Sequence, residues 1–334
     1  MSSLPPMTTM SLMQNSHNDG STAALQVLLL FIIFWEVTYR IVDYLMCQLL
    51  RKTNNFTSKK NSCDTLSIGQ LLQNLHTIQT YGPSYIVSTI HAIIVTTRGC
   101  IHLIQLWDAP PYDKFVIPPS FALQDDTSTM NYRGAHLLVA RTNIIFVSYL
   151  LYDVCHVIYQ YPKLGKVDTI LHHVLFIICS FINGTYGIMA FAFGWLIVGE
   201  ASTIFLNIRW FLIQLSGRRS ISNSSESDDT TKCEGRKSSR SLLDTINILF
   251  AITFFIVRVI VYTIGVIHLF ITHGSSIIMS LPQTTSVPRI LLGLTCGCIV
   301  LGWGLNLIWG MKIIAMVLKN GNNTKNQATS NKVE

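Results

Sequence analysis

The chain has 334 residues, 49% hydrophobic and only 12% charged, with 24 Lys and Arg against 17 Asp and Glu for a formal charge of +7. Its apolar residues lie in runs that are oily on most helix faces and long enough to cross a hydrocarbon core of roughly 30 Å, which excludes an ordinary soluble domain. The positive charge does not indicate nucleic acid: the basic residues sit in short loops beside apolar runs, and no aromatic-interleaved basic patch occurs.

Residues 1–23 are rich in Ser, Thr and Met, hold no Lys or Arg, and read as a disordered tail. Apolar runs then predict about seven transmembrane helices, near 24–47, 81–106, 137–160, 168–187, 190–215, 243–271 and 290–318, so the fold class is all-α, a multi-pass helical bundle. The first run is too long for the core of a cleaved signal and is expected to anchor itself. Within it Glu36, Arg40 and Asp43 share one helical face, which predicts an ion-pair ladder turned toward the bundle. The short connection near 187–190 makes the fourth and fifth spans antiparallel neighbours. Residues 217–241 are Ser-rich with mixed charge and read as a flexible loop, in which Ser222, Ser238, Ser239 and Ser241 have basic neighbours suited to phosphorylation. Residues 320–334 form a tail, and no internal repeat is evident.

Orientation follows from Lys and Arg. Arg51, Lys52, Lys59 and Lys60 follow the first span, Lys163 and Lys166 the third, Arg218, Arg219, Lys232, Arg236, Lys237 and Arg240 the fifth, and Lys319 and Lys325 the last. Loop 107–136 is acidic and 272–288 is uncharged. The positive-inside rule then puts the N-terminus on the exoplasmic side and the C-terminus in the cytosol. In that orientation the acceptor triplets at Asn55, Asn223 and Asn322 face the cytosol and Asn183 lies at a span end, so none is expected to carry a glycan. Eight cysteines, mostly within spans, do not make a disulfide framework, although Cys100 and Cys296 fall near the same side and leave one bridge open.

Ionisable side chains inside hydrocarbon are costly and should face the bundle interior or a wet cavity. A rise of about 1.5 Å per residue puts Asp153, His156, His172, His173, Asn207 and Arg209 roughly 6–14 Å from the cytosolic ends, with His91 slightly deeper. The same arithmetic puts Glu200 and Arg258 at a common depth of roughly 22–24 Å, with Arg98 nearby, and predicts a structural Glu200–Arg258 pair. His172 and His173 are adjacent on one helix and diverge by about 100°, so they do not chelate one ion, and no further histidine box supplies a metal site. One of them is expected to face a cavity, where a neutral imidazole oriented by Asp153 or Glu200 has the chemistry of a general base; no residue is firmly catalytic. Ser202 and Thr203 are hydroxyls that commonly bond their own helix backbone.

Four segments occur together in a telling order: "SYLLYDV" at 148–154, "LHHV" at 171–174, "EASTIFLNIRWF" at 200–211 and "LNLIWGMKII" at 305–314. The chain resembles the TLC domain family, named for the translocating-chain-associating protein, the ceramide synthases and the ceroid-lipofuscinosis ER protein, over roughly residues 76–319. Within it the chain is most similar to the group of TLC domain-containing protein 4, once called transmembrane protein 56. The resemblance implies six core helices in a barrel-like arrangement around a lipid-accessible cavity, an extra first helix, and residence in the endoplasmic reticulum with a lumenal N-terminus. Its ceramide synthases carry a His-His, a later His-Asp and a further Asp; aligned without gaps, this chain keeps His172 and His173 but has Gly199, Glu200 and Thr203 at the other places. Ile204 stands where Pro often follows Ser-Thr, so a kink there is not expected.

Three functions follow as expectations. The first is lipid homeostasis, in which a membrane lipid is bound, sensed or moved in a cavity formed by His91, Asp153, His156, His172, His173, Glu200, Asn207 and Arg209, with Arg209 offering a guanidinium fork to a phosphate or carboxylate. No cofactor belongs to that reading. The second is an N-acyltransferase of ceramide-synthase type, with acyl-CoA as donor and His172 or His173 deprotonating a sphingoid amine. The third is a seven-span receptor or transporter, which lacks support from proline-bearing spans, inverted repeats or broken helices.

Overall fold

A computed structural model of the protein describes residues 7–57, 65–110, 114–116, 133–215, 235–274 and 287–330. Helix α1 is Met7–Thr57, α2 Thr65–Leu106, α3 Arg133–Tyr159, α4 Val167–Tyr186, α5 Ala190–Val198 and α6 Ala201–Leu215. Helix α7, Gly235–Phe254, continues through a π-helical stretch Phe255–Val261, α8 Tyr262–Ile267 and a second π-helical stretch His268–Thr272, and α9 is Arg289–Ser330. Seven of these helical segments are long and apolar enough to cross a membrane: Ala23–Lys52, Gln73–Leu106, Gly134–Tyr159, Val167–Tyr186, Ala190–Leu215, Leu242–Thr272 and Arg289–Ala315. Helix α1 takes in most of the polar stretch 1–23 that the sequence leaves without structure, and α9 runs through most of 320–334. Most of the Ser-rich loop, including Ser222, lies outside the described residues.

Neighbouring helices close a cycle. α2 packs on α3, α3 on α4, α4 on α9, α9 on α8 and the first π-helical stretch, that stretch and α7 on α6, and α6 and α5 return to α2. α1 stands outside the cycle against α2 and α3. Its inward stripe is Trp35, Tyr39, Val42 and Met46, with spacings of 4, 3 and 4 that keep one face of a helix. Trp35 is fully buried and its indole N–H donates to Ser148 Oγ at 3.2 Å. The expected inward ladder is therefore corrected. Arg40 bonds Glu36 at 2.7 Å but its side chain is 71% exposed, and Glu36 turns partly outward to meet His156. The large aromatic and apolar side chains gain more from burial than the ion pair, and the long Arg40 stem can carry its charge toward the headgroups.

Small residues set the close contact between α2 and α5, as expected where packing rather than the hydrophobic effect holds helices together. A Cβ at Gly99 would stand 2.7 Å from Ile197 Cγ1 and 2.9 Å from the Gly194 carbonyl oxygen. Gly99→Leu is expected to destabilise the fold by about 1–3 kcal/mol, the usual cost of overpacking, seen as a lower thermal midpoint of the purified protein. An unchanged midpoint would mean that α2 and α5 are not held this closely.

The turn between α4 and α5 needs left-handed backbone at Gly187 (φ 58°) and at Met189 (φ 59°). Glycine adopts this freely; methionine does not, and it is held by a 2.7 Å bond from its N–H to the Phe115 carbonyl. Val116 pairs with Ile188 in an antiparallel bridge, so the segment 114–116 covers this end of the bundle with fully or nearly buried Phe115, Ile188 and Met189. His273 packs edge-on against Phe115, and burial, with His268 and Lys114 nearby, holds it below the ordinary imidazole range. Cys100 and Cys296 are both free, which removes the bridge the sequence leaves open.

The fifth span is not one continuous helix. Between α5 and α6 the N–H groups of Gly199, Glu200, Ser202 and Thr203 reach back three residues rather than four, to Leu196, Ile197, Gly199 and Glu200. This tightened turn frees carbonyl oxygens in mid-span, where each needs a partner. The interruption arises without a proline, and it lies before Ile204.

Candidate functional site

A cavity of about 420 Å³ lies within the cycle and is lined from all six of its spans. α2 contributes Ser84, Tyr85, Ser88 and His91; α3 contributes Tyr149, Leu150, Asp153 and Val157; α4 contributes Asp168, Thr169, His172 and His173. The interrupted span supplies Glu200, Ser202, Thr203, Leu206 and Asn207, the sixth Phe250, Phe254 and Arg258, and α9 Trp309, Lys312 and Ile313. Leu164, Asp168 and Lys312 mark the end next to the basic connection 160–166, and Lys312 is 64% exposed there. The segment 114–116 closes the opposite end of the bundle.

Arg258 organises the deep wall. Its Nε–H donates to the freed Gly199 carbonyl at 3.0 Å and to Ser202 Oγ at 2.8 Å, and Nη2 donates to Glu200 Oε1 at 3.0 Å and Thr203 Oγ1 at 3.1 Å. Thr203 in turn donates to Glu200 Oε2 at 2.8 Å, while Ser202 donates to its own backbone at Gly199. A single guanidinium thus compensates a carboxylate and a helix interruption together, which its planar fork allows and a lysine would not. The π-helical turn that carries Arg258 is a widened register of the kind found at functional sites.

On the facing wall His91 is fully enclosed, stacked on Tyr149 at 3.7 Å and 14° with Trp35 edge-on at 5.8 Å. Asp153 Oδ2 lies 3.5 Å from His173 Nδ1, too long for a hydrogen bond. His172 lies between Phe176 and Trp309, with ring centroids 4.6 and 5.3 Å away. Among the described lining residues, Ser84 Oγ, His91 Nε2, His172 Nδ1 and His173 Nδ1 are buried without a hydrogen-bond partner. An orphaned polar atom costs about 1–3 kcal/mol unless something else meets it, so these four atoms mark where a ligand or ordered water is needed. At the mouth Asp168 ties α4 to α9, accepting from Trp309 Nε1 at 3.0 Å and lying 3.6 Å from Lys312 Nζ. Its place in the first turn of α4 also suits a helix N-terminus.

Six of the eight expected cavity residues line the space: His91, Asp153, His172, His173, Glu200 and Asn207. Asn207 holds α6 to α2 through the Tyr85 carbonyl and Thr89 Oγ1 at 3.1 and 3.0 Å. Two do not line it. His156 turns to α1, where it meets Glu36 Oε2 at 3.3 Å and the Tyr39 ring. Arg209 lies two residues, about 200°, around the helix from Asn207 and donates to Asn247 Oδ1 of α7 at 2.7 Å. Arg209 therefore offers the cavity no phosphate fork. Arg98 also lies apart from the Arg258 network, donating to Thr142 Oγ1 at 2.7 Å.

Ser84, Ser88, Tyr149, Asp168, Trp309 and Lys312 are lining residues that sequence reasoning passes over. A signal for some is present: Ser84, Ser88 and His91 repeat at four and three residues, a polar stripe inside an apolar span. Among the described residues no cluster of three or more His, Cys, Asp or Glu is placed to hold a metal ion.

A family model described as the TLC domain matches residues 83–315. The chain is similar to TLC domain-containing protein 4-B of Xenopus laevis, at 26% identity over 233 residues that cover 68% of this chain and 70% of that one. No solved structure matches.

Proposed function

Because the chain belongs to the TLC domain family, we propose that this multi-pass membrane protein handles a lipid, holding its polar end in the cavity shared by the six core spans. The observation that carries the reading is the cavity itself: aromatic and aliphatic walls around a few convergent polar groups at membrane depth, the form a lipid headgroup and its first methylenes require. The cyclic order of six spans supports a barrel-like core with α1 as an addition. The basic connection beside Leu164 and Asp168 supports a cytosolic mouth and an N-terminus on the opposite side, and family membership is what supports residence in the endoplasmic reticulum. Binding, sensing and trafficking are roles such a cavity serves in lipid homeostasis.

The Asp153–His173 contact favours a second reading. With Asp153 orienting it, His173 is suited to accept a proton from a sphingoid amine as that amine attacks the thioester carbonyl of acyl-CoA; the amide bond forms, the C–S bond breaks and the thiol leaves. Glu200 argues against it, because the carboxylate at the place of the synthase Asp is already engaged by Arg258 and Thr203.

Lipid mass spectrometry of the purified protein tests both. The wild type is expected to retain a lipid that the His172→Ala, His173→Ala double variant retains at a several-fold lower level, with no new product when acyl-CoA and a sphingoid base are added. Formation of an N-acylated product by the wild type would establish the transferase instead, and a wild type that retains no lipid in any detergent would overturn the binding reading.

A further inference from the structure

The charges lining the cavity identify the headgroup class. Among the described residues, three carboxylates, Asp153, Asp168 and Glu200, face two permanent cations, Arg258 and Lys312. Glu200 holds Arg258 at 3.0 Å and Asp168 lies 3.6 Å from Lys312, so the charge of each cation is compensated within the wall. Arg258 has, in addition, three hydrogen-bond acceptors besides Glu200. The odd carboxylate, Asp153, is faced by His173 Nδ1 at 3.5 Å, so the lining keeps one carboxylate in excess of its permanent cations. A phosphate brought here would meet a surplus of negative charge in a site poor in water, where the repulsion is weakly screened.

Among the described lining residues, the buried atoms without a hydrogen-bond partner belong to a hydroxyl and to imidazoles: Ser84 Oγ, His91 Nε2, His172 Nδ1 and His173 Nδ1. A hydroxyl and an imidazole each donate or accept according to how the hydroxyl hydrogen or the tautomer is set, which suits a group that does both. A hydroxyl has that character, with a neighbouring glyceryl ester as a further neutral acceptor; a phosphate diester, with acceptors and charge alone, does not. The cavity is large enough for such a headgroup and the start of its chains, while the remainder must leave past the mouth or between helices into the bilayer.

We propose that the cavity selects lipids with an uncharged, hydroxyl-bearing headgroup, of the diacylglycerol kind, and rejects phosphate-bearing ones. The inference rests on the lipid-binding reading above. Its test is a competition on the purified full-length protein: equal amounts of diacylglycerol, phosphatidylcholine and phosphatidic acid with identical acyl chains, read by native mass spectrometry. Diacylglycerol is expected to be retained at least about tenfold over either phospholipid, and Asp153→Asn to narrow the ratio to phosphatidic acid several-fold by removing the surplus charge. Asp168→Asn, at the more exposed mouth, serves where Asp153→Asn fails to fold; it frees Lys312 and is expected to narrow the same ratio. Phosphatidic acid or phosphatidylcholine retained as well as diacylglycerol, or a ratio unmoved by the variant that folds, would overturn the headgroup assignment while leaving lipid binding intact. Retention of none of the three, together with no lipid from a total membrane extract, would overturn the binding reading itself.

Discussion

Arg258→Gln is expected to lower the stability of the protein by about 3–5 kcal/mol, the range found when one partner of a buried ion pair is removed. The guanidinium is nearly buried and its loss strips a partner from Gly199 O, Ser202 Oγ, Thr203 Oγ1 and Glu200 Oε1 at once. Two of these partners lose a close contact. The Gly199 carbonyl keeps only the longer bonds from the Ser202 N–H at 3.4 Å and the Ser202 hydroxyl at 3.2 Å, and Glu200 is left in a wall whose nearest remaining polar contact is Thr203. Glu200→Gln is also expected to destabilise, because an arginine does not shed its charge on burial. The two effects should not add. In the Glu200→Gln, Arg258→Gln double variant no charge is stranded, and the coupling recovered in a double-mutant cycle is expected to be about 1–3 kcal/mol. Unfolding titrated with SDS at matched expression measures it. Additive losses would show that the two side chains stabilise the fold through separate contacts.

Ser88→Trp is expected to empty the cavity of lipid without unfolding the protein. Ser88 lines the space from α2, and a tryptophan there would occupy a large part of about 420 Å³. Retained lipid should fall at least about tenfold, equivalent to about 1.4 kcal/mol of binding, with a thermal midpoint near that of the unliganded wild type. Ile264→Trp provides the comparison: that side chain is exposed on the outer surface of the sixth span, and its enlargement should leave retention unchanged. Equal retention in both variants would place the lipid on the outer surface of the bundle.

Depth along a span is legible in a sequence because each residue advances a helix by a constant rise. Azimuth is less so. Asp153 and His156 are three residues apart and nearly share a face, yet only Asp153 reaches the cavity, because α1 packs on the edge of α3 and draws His156 to Glu36 and Tyr39. Arg209 fails for a local reason that spacing does contain: two residues beyond Asn207 is the far side of α6, toward α7. The interruption at Gly199 and Glu200 leaves no proline as a signal. Its stability comes from Arg258, 58 residues later in the chain, so local propensity could not report it.

The sequence by itself determined the seven spans, the all-α class, the basic connections that distinguish the two sides and the common depth of Glu200 and Arg258. All of these are set by composition and rise along one dimension. The tertiary structure decided which faces meet: the cyclic order of the six spans, the outward turn of Glu36 and Arg40, the departure of His156 and Arg209, and the pairing of every cavity cation with a carboxylate. Those outcomes depend on rotation about helix axes and on contacts between residues far apart in the chain. They also decide the chemistry, because a cation already held by a carboxylate presents a ligand with a compensated charge.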